Sequence, residues 1–275
     1  MRKHILLPTD FSDNAWIAAL YAFKLYEAET CTFYFLHSSI IKGSTKSSMS
    51  SKLTRVMTEN AKNGLAEVKA KAEQNHANAN HQFETILSAY DLKDSLESII
   101  KKQKIDMLIM GTKGATKAEE IIFGSNTVSI IQSVKDCPVL AIPDEFKFEK
   151  PEKIAFPTDF NRSYGDELQP LKELASLFDS KIEIVHINKD HDISEAQDYN
   201  LDQLKASLKN ITHNFHSMPK EGNKERGITD FIEQFDINML VMINYPHSFI
   251  ESFMKEPIIK KLGFKSSIPF LVIPG

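Results

Sequence analysis

Short strings that return in the same order constrain this chain more than any other feature. LLPTDF at Leu6–Phe11 returns as AFPTDF at Ala155–Phe160, and Leu36-His37 returns as Val185-His186. IDMLIM at Ile105–Met110 returns as INMLVM at Ile237–Met242, and CPVLAIP at Cys137–Pro143 as IPFLVIP at Ile268–Pro274. Matches in one order along the chain mean an internal duplication. A length of 275 residues suits two domains of ordinary size. The period is too long, and the copies too few, for a solenoid. Asp144–Glu152 is charged and carries Pro151, so it reads as the linker between domains at 1–146 and 150–275.

Within the first copy, short apolar runs alternate with helical patterns. Strands are expected at His4–Leu7, Thr32–His37, Gln82–Leu87, Met107–Met110 and Val139–Ile142. Ser12 or Asp13 can cap the helix carried by Ala15, Ala18, Ala22 and Tyr26, and Asp91 or Asp94 the helix of Leu92, Leu96 and Ile99. Leu53, Val56, Met57, Leu65, Val68 and Ala72 mark one face of a long helix, after a polar loop at Ile40–Ser51. In the second copy, Pro170 fits the first turn of a helix that starts late. Alternation of this kind predicts an α/β fold of two tandem domains, each a five-stranded mostly parallel sheet with helices on both faces.

The chemistry concentrates in Ile105–Asn126. A doubly buried strand breaks at Gly111, a second glycine follows at Gly114, and Gly124-Ser125 comes after nine intervening residues, just before the helical pattern of Val128, Ile131 and Val134. Glycines let the backbone approach a ligand, and the free N–H groups of a helix start meet an anion. Ser125 adds a hydroxyl there. The lysine-bearing P-loop and the compact dinucleotide fingerprint are both absent.

These residues resemble the universal stress protein family: G-x2-G-x9-G-S after a strand, with LLPTDFS opening the copy and VLAIP closing it. The resemblance covers nearly the whole chain as two copies, and only the first carries the glycine motif of the ATP-binding branch. It implies an adenine nucleotide α-hydrolase-like fold and ATP as the ligand. Asp10 would contact the adenosine part, the backbone near Ser38 the adenine, and Gly111 the ribose. Gly114, Gly124 and Ser125 would hold the phosphates. Two positions depart from the family pattern: Ser38 replaces a small apolar residue, and Ser88-Ala89-Tyr90 stands where a glycine usually follows the third strand. Asp10 has the chemistry of a magnesium ligand, yet magnesium takes so few protein ligands that the sequence neither requires nor excludes it. Pro8-Thr9-Asp10 also has a purely structural reading, as a strand end and helix cap, because it returns as Pro157-Thr158-Asp159.

In the second copy, Ile243 takes the Gly111 position, Pro246 that of Gly114, and Lys255-Glu256 lie near that of Gly124-Ser125. A branched side chain, a missing N–H and a carboxylate all oppose phosphate, so this copy is expected not to bind ATP in the same way. Phe249, Phe253 and Met254 suggest a packed helix in place of the loop.

The totals exclude other classes. A net charge of −4 gives no electrostatic case for nucleic acid or an acidic membrane. The apolar start Ile5–Leu7 stops at Pro8, so no signal peptide or membrane span is expected, and Cys31 and Cys137 are too few for a disulfide framework. A cytoplasmic protein follows. His213 and His216 point to opposite faces of a strand, so no metal site is expected, and His37 and His186 read as architectural. The family resemblance implies a nucleotide-responsive regulatory protein in stress adaptation, self-associating through its last strands within or between chains. No catalytic residue is assigned: slow hydrolysis or self-phosphorylation would have only Ser125 and Thr127 nearby. A nucleotide-free dimeric scaffold is the other alternative.

Overall fold

The computed structural model describes residues 1–39, 48–112, 125–144, 146–188, 193–219, 224–245 and 268–275. The chain divides into two compact units, the first running to Phe148 and the second starting at Glu149.

In the first unit the order is β1 (Lys3–Pro8), α1 (Asp13–Leu25), β2 (Cys31–Ser38), α2 (Ser48–Asn75), β3 (His81–Ser88), α3 (Leu92–Gln103), β4 (Met107–Gly111), α4 (Ser125–Ser133) and β5 (Val139–Ile142). The strands lie side by side as β3-β2-β1-β4-β5, and every described pair is parallel. β1 is therefore the point where the chain reverses its direction of travel across the sheet. Right-handed crossovers on either side of such a reversal put helices on both faces. A sheet covered on both faces needs continuous apolar strands, and β4 and β5 are buried at every position.

Local chemistry sets the helix ends. Ser12 caps α1 by accepting from the Ala15 N–H, and Asp91 caps α3 by accepting from the Asp94 N–H. α2 begins at Ser48, within the stretch expected to be loop up to Ser51. Its buried face is also shorter than the periodicity suggests. Ala61, Leu65 and Ala72 are buried, whereas Leu53, Val56 and Met57 stay exposed.

The second unit repeats the plan with β6 (Lys153–Pro157), α5 (Gln169–Phe178), β7 (Lys181–Asn188), α6 (Glu195–Ser207), β8 (His213–Pro219), α7 (Lys224–Phe235), β9 (Met239–Asn244) and β10 (Phe270–Pro274). Its strand order is β10-β9-β6-β7-β8, again parallel throughout the described pairs. Pro170 sits in the first turn of α5, after a single 3-10 turn at Asp166–Leu168. The register is copied to the residue: Leu6 faces Leu108 in the first unit and Ala155 faces Leu240 in the second. Asp106 accepts from the His4 N–H at 2.7 Å, and Asn238 accepts from the Lys153 N–H at 2.9 Å. The helix expected around Phe249–Met254 lies outside the described residues.

Candidate functional site

The turn after β1 is the most tightly determined part of the site. The Thr9 N–H bonds the Leu36 carbonyl at 2.8 Å, which ties the turn to β2. Phe11 adopts φ 66°, a left-handed conformation that costs a residue with a bulky side chain about 1–2 kcal/mol. Several contacts offset that cost. The Phe11 N–H donates to Thr9 Oγ1 at 3.0 Å, and its ring stacks on His37 at 4.5 Å between centroids. The same ring lies so close to Gly64 on α2 that a Cβ there would sit 2.8 Å from it. Asp10 Oδ1 accepts from the Ser12 N–H at 3.1 Å and from Ser12 Oγ at 2.5 Å, and Ser12 then caps α1.

The second unit keeps the backbone of this turn but not its helix cap, since Asn161 stands where Ser12 does and donates its amide to Asp159 Oδ2 at 2.8 Å. Phe160 has φ 54°, its N–H donates to Thr158 Oγ1 at 3.1 Å, and its ring stacks on His186 at 4.9 Å. Asp159 Oδ1 accepts from the Asn161 N–H at 3.1 Å. His37 Nδ1 pairs with the Thr9 carbonyl at 2.8 Å and His186 Nδ1 with that of Thr158 at 2.9 Å. The two histidines are architectural: each holds its turn from the neighbouring strand. The strand-end part of the structural reading of Pro-Thr-Asp therefore applies to both copies, whereas the helix-cap part does not: Ser12 caps α1, and no helix begins until Asp166 in the second copy.

Gly111 ends β4, next to β1. A Cβ on it would stand 2.7 Å from Asn14 Nδ2, so the missing side chain is occupied by the buried Asn14 amide from the first turn of α1. From sequence this glycine reads either as a turn residue or as a point of ligand approach; internal packing against Asn14 is a further requirement. Thr127, in the first turn of α4, directs Oγ1 at the carbonyls of Gly111 and Thr112, at 3.1 and 3.2 Å. Thr112 in turn donates its N–H to Ile142 at 2.9 Å. The Thr127 hydroxyl is buried and engaged, which removes it as an accessible phosphate acceptor. Asn14 and Thr127 thus lock the start of α4 and the start of α1 onto the end of β4. Asn14 was not legible as a site residue, since its only signal is a contact 97 positions away.

At the end of β2, Ser38 Oγ donates to the Tyr90 carbonyl at 2.6 Å, and the Ser39 N–H bonds the Ser88 carbonyl at 3.0 Å. Ser95 Oγ lies 2.7 Å from Ser88 Oγ and 2.6 Å from the Asp91 carbonyl. The two departures from the family pattern, Ser38 and Ser88-Ala89-Tyr90, are therefore tied to each other by hydroxyls. Asp91 lies below the usual carboxylate range because the Asp94 N–H donates to it, while the neighbouring Asp91 charge raises Asp94. That carboxylate satisfies the N-terminus of α3, as Ser12 satisfies that of α1.

Asp10, Ser38 and Gly111 consequently follow or end three adjacent parallel strands, at the reversal point where α/β sheets take ligands. Ser125 opens α4, and its side chain lies outside the described residues, as do Gly114 and Gly124. Among the described residues no group of His, Cys, Asp or Glu has the grouping of a metal site. No described helix is long and apolar enough to cross a membrane.

The sequence matches the universal stress protein family over residues 1–143. Two universal stress proteins of Methanocaldococcus jannaschii are similar to it. One is 28% identical over 154 residues, covering 55% of this chain and 84% of that protein. The other is 30% identical over 159 residues, covering 52% of this chain and 95% of that protein. Among solved structures, a universal stress protein from Archaeoglobus fulgidus aligns over 98% of this chain and 95% of its own, with a TM-score of 0.65 at 20% identity. A structure described as the cytoplasmic domain of a prokaryotic cation chloride cotransporter aligns over 100% and 96%, at TM-score 0.58 and 10% identity. Likeness at such identities speaks for the fold only. The family match spans more than half of the chain and coincides with the copy that carries the glycine motif: this chain belongs to the universal stress protein family.

Proposed function

We propose that the first domain binds one ATP across the ends of β1, β2 and β4, and that the chain acts as a nucleotide-responsive regulatory protein in stress adaptation. The observation that carries this reading is the strand order, which brings the Asp10 turn and Gly111 onto neighbouring strands at the reversal point, with a helix starting at Ser125. Asp10, whose turn is pre-shaped before any ligand arrives, takes the adenosine hydroxyls. The backbone at Ser38, fixed by the Tyr90 carbonyl, lines the base. Gly114, Gly124 and the opening N–H groups of α4 take the phosphates, and magnesium, where present, neutralises phosphate charge without a dedicated protein cage. The N-termini of α1 and α3 are already capped by Ser12 and Asp91 and do not compete with that of α4 for the anion.

Calorimetric titration of the full chain with ATP tests this. Saturable binding that disappears in Gly124→Asp supports it; unchanged binding in that variant contradicts it. A second reading, a nucleotide-free scaffold, is favoured by one observation: Asp10 holds its turn in the same way as Asp159, in a copy that lacks the glycines. Failure to bind ATP at any concentration would transfer the assignment to that reading.

A further inference from the structure

The turn between β3 and α3 fixes the backbone of one residue whose side chain the fold does not use. Ser38 and Ser88 are register partners at the ends of β2 and β3, and Tyr90 lies two residues further on. The Tyr90 carbonyl accepts from Ser38 Oγ at 2.6 Å and lies 3.4 Å from Ser95 Oγ, while its N–H donates to Ser88 Oγ at 3.3 Å. Hydroxyls from β2, β3 and α3 thus converge on this residue, and Asp91 caps α3 directly after it.

The ring is left out of this network. Tyr90 is 71% exposed, and among the described residues neither its ring nor its hydroxyl has a partner. Phe11, the other exposed aromatic residue described in the first unit, is by contrast engaged, on His37 and against Gly64. Packing of the Tyr90 ring is therefore not what orders its peptide. A fixed peptide does confine the ring to a narrow region at the carboxyl ends of the strands, which is the pre-organisation a stacking surface needs.

We propose that Tyr90 is a stacking platform for the nucleotide base in the first domain, and that it gives the site a preference for a large, flat base. This rests on the nucleotide reading above, in which the backbone at Ser38 lines the base. Ser38 also places the platform, because its hydroxyl holds the Tyr90 peptide one hydrogen bond away. Stacking uses the π-face that every base presents, so the ring discriminates by stacking area, more for a purine than for a pyrimidine, and not by hydrogen-bond readout. In the stretch where the family usually has a glycine, this chain supplies an aromatic side chain.

Calorimetric titration of the full chain with ATP and with CTP tests this, beside an NMR search for an NOE between adenine protons and the Tyr90 ring. The serines bond the Tyr90 peptide and not its ring, so Tyr90→Ala should leave the urea midpoint unchanged. The native chain should bind ATP more tightly than CTP and show the NOE. Tyr90→Ala should weaken ATP about tenfold and CTP less, which narrows the preference, whereas Tyr90→Phe should keep the native affinities. Native ATP affinity in Tyr90→Ala, an equal loss for both nucleotides, loss of affinity in Tyr90→Phe, or no NOE at saturation would each overturn the platform while leaving ATP binding by the first domain in place. A native chain that binds no ATP would instead overturn the nucleotide reading, and the platform with it.

Discussion

Gly111 shows how packing alone can demand a glycine at the end of a strand. Gly111→Ala would drive a methyl into the Asn14 amide, at 2.7–2.9 Å from its atoms, and overpacking of this sort costs about 1–3 kcal/mol. Urea unfolding of the single and double variants should show coupling. Gly111→Ala should cost less in an Asn14→Ala background than in the native chain, and additive losses would refute the contact. The thiols offer a chemical check at the same scale. Burial pushes Cys31 and Cys137 up to about 12, so both stay protonated and react slowly with a thiol reagent until the chain unfolds. Because the folded values lie above the unfolded ones, their contribution to stability is complete below about pH 8.5. It falls away as pH rises toward 12, which unfolding at pH 7 and pH 10 would reveal. The interruption of the strand at Gly111 was legible in the sequence. Its partner was not, because a contact between α1 and the end of β4 leaves no local pattern.

The turn after β1 behaves as an element in its own right, with the positive φ, the Thr hydroxyl bond and the ring stacked on histidine common to both copies. Ser12→Ala removes the cap of α1 and a donor to Asp10, and should cost about 1 kcal/mol, read as a lower denaturant midpoint at unchanged m-value. Thr127→Val tests the other anchor. Losing the hydroxyl that bridges α4 to the Gly111 and Thr112 carbonyls should cost about 1–2 kcal/mol. If α4 presents its N-terminus to phosphate, ATP affinity should fall as well, and calorimetry of the folded variant separates the two effects. Capping is a local act, so sequence narrowed the caps to Ser12 or Asp13 and to Asp91 or Asp94, and the structure selects Ser12 and Asp91. The left-handed Phe11 could not, since nothing in a phenylalanine announces a positive φ. Periodicity also identified the amphipathic face of α2 without saying how far a neighbour covers it, which is why Leu53, Val56 and Met57 are exposed.

Across the whole molecule, the two copies share the scaffold but not the glycine motif. Strand order, register and the Pro-Thr-Asp-Phe turn are common to both units, whereas Gly111 has become Ile243 and the glycine motif exists once. Repeated strings made this organisation readable. A space of about 130 Å³ beside Ile187, Ile228 and Ile243 in the second unit was hidden, because a branched side chain at the glycine position suggests filled space and only packing reveals what remains open. The central claim is an asymmetry between copies, and it is a matter of stoichiometry. Denaturing the ATP-saturated chain after removal of free nucleotide, and quantifying the adenine nucleotide released, tests it most directly. The account predicts about one equivalent per chain, lost in Gly124→Asp. Two equivalents would contradict the silence of the second copy, and none would contradict nucleotide binding by the first.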